Sequence, residues 1–325
     1  MIQDLFGQIC SSNNLFAALH KFSAGKRSKE DVMAYERRLE DNLFALRDEL
    51  QSGEYRHGAY HPFTIHDPKE RSISKATVKD RIVHQALVNI IEPLFDRRFI
   101  YDSYSCRVGK GTHAAVRRLQ TFLRRMSMNN TRTVYALKCD ARKFFASVDH
   151  NILFSLLFRR IIDDRTIDLL KNIIDSFSTS VEKGIPLGNL TSQLFANIYL
   201  NELDHYVKMH LREKYYLRYC DDFIILGLDR SRLKELINNI DAFLNERLSL
   251  ALHPQKVSIR SWSQGIDFLG YVLLPDCTVV RTKTAYRILS RVMEKNLTSY
   301  LGVCSHADAY EMEQVVITKV FGSNL

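Results

Sequence analysis

Tyr219-Cys220-Asp221-Asp222 stands between two largely apolar runs, Tyr215-Tyr216-Leu217-Arg218 before it and Phe223-Ile224-Ile225-Leu226-Gly227 after it. Adjacent carboxylates are costly in a strand-like stretch, because a buried, unpaired charge either costs several kcal/mol or neutralises. A chain keeps such a pair mainly where a cation sits on it. A third carboxylate, Asp140, ends another strand-like run, Thr133-Val134-Tyr135-Ala136-Leu137-Lys138-Cys139. Period-two geometry sets Val134, Ala136, Lys138 and Asp140 on one face of that run, and Tyr135, Leu137 and Cys139 on the other. The pair Asp163-Asp164 lacks such flanks and reads as a solvated helix or loop.

Three carboxylates on two strands supply the minimum that nucleotidyl transfer with two Mg²⁺ ions requires. Mg²⁺ prefers oxygen ligands and keeps few protein carboxylates beside substrate phosphates and water. Asp140, Asp221 and Asp222 are therefore the expected catalytic residues and metal ligands, with Mn²⁺ as a substitute ion. Their distance in sequence means that they meet only through the fold.

The bulk composition agrees with this chemistry without demanding it. The chain has 325 residues, 46% hydrophobic and 26% charged, and a net charge of +9. That is an ordinary globular composition with room for several subdomains. The basic excess favours polyanionic partners. Six cysteines are scattered without a C-x-x-C pair, which argues against a zinc site or disulfide framework and fits a reducing compartment. No signal peptide is read at the N-terminus, and no apolar run reaches the roughly 18 residues of a membrane span. A cytoplasmic protein without membrane association is expected.

Around the opening stretch the hydrophobic period alternates between helix and strand. Ser28-Lys29-Glu30-Asp31 resembles a capping box opening one helix through Val32, Leu39, Leu43, Leu46 and Leu50, stopped near Gly53. Helices are expected over 80–99, 113–126, 150–176, 191–211 and from about 233, and strands over 133–140, 257–261 and 266–274. The tail from 281 reads as helical and basic. Arg117, Arg118, Arg124 and Arg125 fit a solvated helix face or a nucleic-acid contact equally well. The pattern predicts an α+β fold, with helices on one face of a small antiparallel sheet and the carboxylates on the other.

Tyr219-Cys220-Asp221-Asp222 resembles the Tyr-x-Asp-Asp box of reverse transcriptases. Asp140-Ala141-Arg142-Lys143-Phe144-Phe145, followed by Ser147-Val148-Asp149-His150, resembles that family's other catalytic strand. Further blocks follow in the family's order. Lys69-Glu70-Arg71-Ser72-Ile73 with Lys79-Asp80-Arg81-Ile82-Val83 is similar to the first fingers block, and the run from Ser105 to Ala114 to the second. His253-Pro254-Gln255-Lys256 is similar to the block after the catalytic hairpin, and Phe268-Leu269-Gly270-Tyr271 to the primer-grip strand. Most bacterial retroelement enzymes carry Gln-Gly-x-x-x-Ser-Pro where this chain has Leu187-Gly188-Asn189-Leu190-Thr191-Ser192-Gln193. The form ending in Gln resembles reverse transcriptases of diversity-generating retroelements, as do the compact length and the stretch from Tyr300 to Ala307.

The resemblance implies an RNA-directed DNA polymerase with a right-hand fold: an N-terminal helical region over 1–59, fingers over 60–134, palm over 135–275 with insertions around 150–190, and a short helical thumb over 276–325. It implies a bacterial or phage-encoded enzyme that copies a template RNA from dNTPs into adenine-mutagenised cDNA. Template RNA, the RNA–cDNA hybrid and a small basic helical accessory protein, in one or several copies, are its implied partners. Lys69 and Arg71 would meet the triphosphate, with Arg81 either sharing that task or forming a structural ion pair. Phe145 would be the steric gate beneath the sugar. Gly188 would let backbone approach the nucleotide, and Gln193 would loosen the pocket or, alternatively, cap the helix. Tyr219, Cys220, Lys256 and Gly270 would lie near primer or nucleotide, whereas Cys139 reads as a small apolar filler. No RNase H, maturase or endonuclease domain is expected. The alternatives are a stand-alone bacterial enzyme of an anti-phage or retron-like system, and a non-catalytic RNA-binding scaffold.

Overall fold

The structure, a computed structural model, describes residues 4–66 and 70–322. Lys69 lies outside the described residues. The chain forms two compact units that interleave along the sequence. One comprises Met1–Tyr101, Ala141–Tyr206 and Ala242–Ala251, the other Asp102–Asp140, Val207–Asp241 and Leu252–Leu325.

The first unit is mainly helical and is organised around the helix Val78–Asp96. Its residues Ile82, Val83, Ala86 and Leu87 are fully buried, and it packs against the helices Ser12–Ser23 and Leu190–His205. Thr77 caps it by accepting from the Asp80 amide. Two strands, β1 (His61–Ile65) and β2 (Arg71–Lys75), form an antiparallel hairpin. The single helix expected from Ser28 to Gly53 is instead two, Glu30–Glu36 and Leu39–Ser52. The break is compensated locally: Asn42 Nδ2 donates to the Tyr35 carbonyl, at 2.8 Å. Ser28 caps nothing, since Lys29 is the N-cap and contributes no side-chain bond. Gly53 does end the second helix, at φ +78°. The stretch 150–176 likewise divides into His150–Phe158 and Asp164–Asp175. Asp163 caps the latter, accepting from the Arg165 and Thr166 amides and also from the Phe6 amide at 2.7 Å. The second Asp-Asp pair is thus a helix start.

The second unit holds two antiparallel sheets. The larger runs in the order β4-β5-β3-β6, formed by β3 (Tyr135–Asp140), β4 (Tyr216–Tyr219), β5 (Asp222–Gly227) and β6 (Ser258–Ser261). The helix Thr112–Met126 lays Ala115, Leu119, Phe122 and Leu123 against Val134, Ala136, Leu217, Ile224 and Leu226 of this sheet. Leu137, Cys139, Phe223 and Ile225 alternate with these along the strands and are also buried. Both faces of the sheet are therefore covered, not one as the pattern suggested; Asp140 stands at the end of the face that the helix covers. The smaller sheet is β7 (Ile266–Phe268), β8 (Tyr271–Leu273) and β9 (Thr278–Val280). The single strand expected over 266–274 bends into a hairpin at Leu269-Gly270, where both residues take positive φ, +50° and +94°, the signature of a type I′ turn. The tail carries the helices Thr282–Arg291, Glu294–Cys304 and Tyr310–Phe321, with a small core of Ile288, Val292 and Val316. No helix among the described residues is long and apolar enough to cross a membrane.

Asp80 is fully buried in the first unit, where it accepts from Tyr55 Oη at 2.8 Å, Thr77 Oγ1 at 2.6 Å and the Gly58 amide at 3.2 Å. Asp80→Ala strands three donors and should lower the unfolding free energy by about 2–3 kcal/mol, whereas Tyr55→Phe should cost only about 1 kcal/mol. Urea denaturation of the two variants checks the order.

Candidate active site

The register of the larger sheet places Asp140 directly opposite Asp222. Tyr219 also pairs with Asp222, so Cys220-Asp221 is a two-residue hairpin turn. Cys220 takes φ +55°, in the left-handed region that primed turns require of their first loop residue. Three carboxylates thus gather at one end of the sheet. Like charges directly opposite each other on neighbouring strands destabilise the pairing. Burial first, then the Asp140 charge, raises the carboxyl pKa of Asp221. Burial chiefly pushes Asp222 up to about 6; Lys138 opposes the rise, and Asp140 and Asp221 add to it. The arrangement calls for positive charge.

Part of that charge comes from the protein. The backbone turns after the hairpin's following helix so that the His253 amide donates to the Asp140 carbonyl at 2.8 Å. Lys256 Nζ then donates to Asp140 Oδ1 at 2.7 Å. Tyr219 Oη accepts from Thr112 Oγ1 at 3.2 Å, and Gly270 holds its turn at φ +94°, its carbonyl accepting from the Arg281 amide. Cys139 is fully buried with its thiol pushed up to about 12, as a filler should be. Burial also raises the Cys220 thiol pKa.

Sequence reasoning passed over Arg218. Its side chain is fully buried, the largest to be so among the described residues. It donates to the Cys220 carbonyl at 3.0 Å and to Ser103 Oγ at 3.2 Å, inside the turn that carries Asp221. Backbone bonds from the Arg218 amide to the Asp102 carbonyl and from the Tyr104 amide to the Arg218 carbonyl lay residues 102–104 along β4. The signal was present: an arginine in an apolar strand is as anomalous as an acidic pair. Arg118, one of the four helix arginines, is bonded to Asp102 at 2.7 Å, while Arg117, Arg124 and Arg125 are exposed.

The remaining candidates belong to the first unit. Arg71 opens β2 and is exposed. Arg81 forms an ion pair with Asp31, which also holds Lys75. Phe144 is buried and Phe145 half-buried, their rings edge-to-face at 5.3 Å. Gly188 has φ +104°, and a Cβ there would meet Ile73 Cγ2 at 2.5 Å, so any other residue would be strained in its backbone and would have to push the Ile73 side chain aside. The loop is fastened to that strand: the Ser74 amide donates to the Leu187 carbonyl, and Asn189 Nδ2 to the Ser74 carbonyl. Asn189 is the N-cap of Leu190–His205, so Gln193 does not cap that helix. Its amide donates to the Asn189 carbonyl at 3.3 Å.

Among the described residues no group of three or more His, Cys, Asp and Glu side chains stands at metal-holding distances. The all-oxygen donor set still has the chemistry of a Mg²⁺ or Mn²⁺ site, where water and substrate complete the shell. The raised pKa values of Asp221 and Asp222 fit a site that gains from a cation.

Arg218→Met keeps the length of the side chain but leaves the Cys220 carbonyl and Ser103 hydroxyl without their donor. It should destabilise the fold by about 2–4 kcal/mol, read as a lower denaturant midpoint.

The family model for reverse transcriptase (RNA-dependent DNA polymerase) matches residues 66–273. Protein YkfC of Escherichia coli is 26% identical over 81% of this chain and 78% of its own length. The group II intron-encoded protein LtrA of Lactococcus lactis is 21% identical over 71% of this chain and 49% of its own. A telomerase structure from Candida albicans, solved with a fragment of telomeric RNA, shares the fold at TM-score 0.54 and 12% identity, covering 77% of this chain and 51% of that one. The helices and small antiparallel sheets are thus those of a right-hand polymerase, and the chain belongs to the reverse transcriptase family.

Proposed function

We propose that this chain copies a template RNA into cDNA by two-metal nucleotidyl transfer. The observation that carries the reading is the meeting of Asp140, Asp221 and Asp222 at one end of the sheet, in a domain of the reverse transcriptase family. These carboxylates would hold two Mg²⁺ ions, which supply activation of the primer 3′-hydroxyl and stabilisation of the leaving pyrophosphate. Lys256 neutralises Asp140 until substrate and metal arrive. Arg218 keeps the Cys220-Asp221 turn in place. Arg71, with Lys69, offers positive charge to the dNTP triphosphate, and Phe145 excludes a ribose 2′-hydroxyl. The fingers, palm and thumb correspond to residues 60–134, 135–275 and 276–325.

The finer reading is a diversity-generating retroelement enzyme that misincorporates opposite template adenines and works with a small basic accessory protein. Leu187, Gly188 and the Ser192-Gln193 ending support it. A proline at position 193 would remove the amide that bonds Asn189. A glutamine keeps that bond and adds an amide able to donate and accept.

Incorporation of labelled dNTP on an RNA template with Mg²⁺ tests the chemistry: Asp221→Asn should lower the rate by on the order of 10³-fold, and equal incorporation would sink the catalytic reading. Fidelity needs a separate measurement. Gln193→Met conserves length and helix propensity but loses the amide, and sequenced cDNA should show severalfold fewer errors opposite adenine. An unchanged error spectrum removes Gln193 from fidelity while leaving the polymerase assignment intact.

A further inference from the structure

Three helices of the first unit meet at a cavity of about 550 Å³, within the roughly 300–1,000 Å³ of small-molecule sites. Val78–Asp96 ends there with Arg97 and Arg98, and His150–Phe158 ends there with Arg159 and Arg160. Leu190–His205 packs against both and supplies Asn201, Glu202 and His205. Phe95, Phe99, Leu156 and Ile198 are buried and form the apolar part of the lining. None of these residues has a task in the polymerisation proposed above.

An arginine near the carbonyl end of a helix usually serves that helix, by bonding its last carbonyls or offsetting its dipole. Arg97 does so, its Nε donating to the Pro93 carbonyl at 3.0 Å. Arg159 is engaged with Glu202, the one carboxylate of the lining, at 3.3 Å. Arg98 and Arg160 are exposed, and among the described residues neither guanidinium meets a carboxylate or a carbonyl. His205 Nε2 donates to the Arg98 carbonyl at 3.2 Å, which fixes the backbone that carries Arg98. Each helix end brings about half a negative charge. Set against four guanidiniums, those ends and Glu202 leave an excess of about two positive charges.

That excess matches a phosphate monoester, which carries about −1.5 to −2 at pH 7 and offers three oxygens to the fork-shaped donors of arginine. The rest of the lining describes what the phosphate is attached to. Asn201 Oδ1 is buried without a hydrogen-bond partner, and a phosphate dianion has no proton to give it. A sugar hydroxyl or a base amino group has one. The apolar side chains suit the flat body of a base.

We propose that this cavity binds a free nucleoside monophosphate, with Arg98 and Arg160 on its phosphate and Asn201 accepting from its sugar or base. The ligand would fasten two helix ends to Leu190–His205, the helix that carries Gln193, and so act on the first unit as an effector. The site does not depend on the catalytic reading.

Isothermal titration of the full chain with adenosine 5′-monophosphate, without divalent metal, tests this. The monophosphate should bind roughly tenfold or more tightly than adenosine, and should raise the melting temperature. Arg98→Gln/Arg160→Gln changes two exposed side chains and should weaken that binding about thirtyfold. Asn201→Ala should weaken the monophosphate about fivefold and leave inorganic phosphate unaffected, which a diffuse positive field would not produce. Arg71→Gln, which removes charge assigned to the dNTP, should bind the monophosphate as the parent chain does. Equal affinity for adenosine and its monophosphate, or unchanged binding in the double arginine variant, overturns the proposal. So does a 5′-phosphorylated oligouridylate that loses as much affinity in that variant, because the arginines would then belong to a nucleic-acid surface. No nucleotide is incorporated, so neither result depends on whether the chain polymerises.

Discussion

Repulsion among Asp140, Asp221 and Asp222 is the constraint to which the second unit is fitted. The antiparallel register sets Asp140 against Asp222, and the two-residue turn leaves Asp221 beside them. A slip of one residue would send one carboxylate to the other face and break the cluster. The register is therefore over-determined. Apolar residues on both faces of β3 and β5 would be misplaced by any slip, and Arg218 ties the turn to residues 102–104. Much of the unit's buried surface can be understood as holding a charge arrangement that would not hold itself.

The cations around the cluster fall into two kinds. Arg218 is sealed in and bonded to backbone, so its role is geometric and constant. Lys256 is 40% exposed in its side chain, and its pairing with Asp140 can be exchanged for another cation without opening the core. The cluster thus combines a fixed support beneath the turn with a partly exposed, exchangeable charge on one carboxylate.

The sheet, the hairpin that carries Asp221 and Asp222, and most helices were legible in the sequence because each has a local signal: period two around Asp140, an acidic pair in an apolar run, three-four spacing over 80–99. What was not legible depended on partners remote in sequence. The helix break at Arg37-Arg38 is sustained by an Asn42–Tyr35 bond, and nothing in the apolar spacing marks it. Arg81 read as a phosphate ligand or an ion pair with its neighbour Asp80, yet its partner is Asp31, fifty residues earlier, and Asp80 is occupied by Tyr55 and Thr77. The strand read over 266–274 hid a type I′ turn because Leu269 is a poor turn residue; only Gly270 gave a hint.

Charge and discrimination also place different demands on a polymerase. Every dNTP brings the same triphosphate and every primer the same hydroxyl, so carboxylates that manage those charges are blind to the base. Any preference, including a tolerated mismatch, must come from groups that meet base or sugar edges. In this chain the candidates for that task, Phe145, Gly188 and Gln193, all belong to the other unit, on elements with their own fastenings. Gly188 takes φ +104°, and a side chain there would run into Ile73. Gln193 sits one helical turn into Leu190–His205, where its main chain is fixed by Asn189 but its amide is not. On the proposed function, a substitution at that point would change what the pocket accepts without altering the carboxylates themselves, and rate and fidelity would then vary independently.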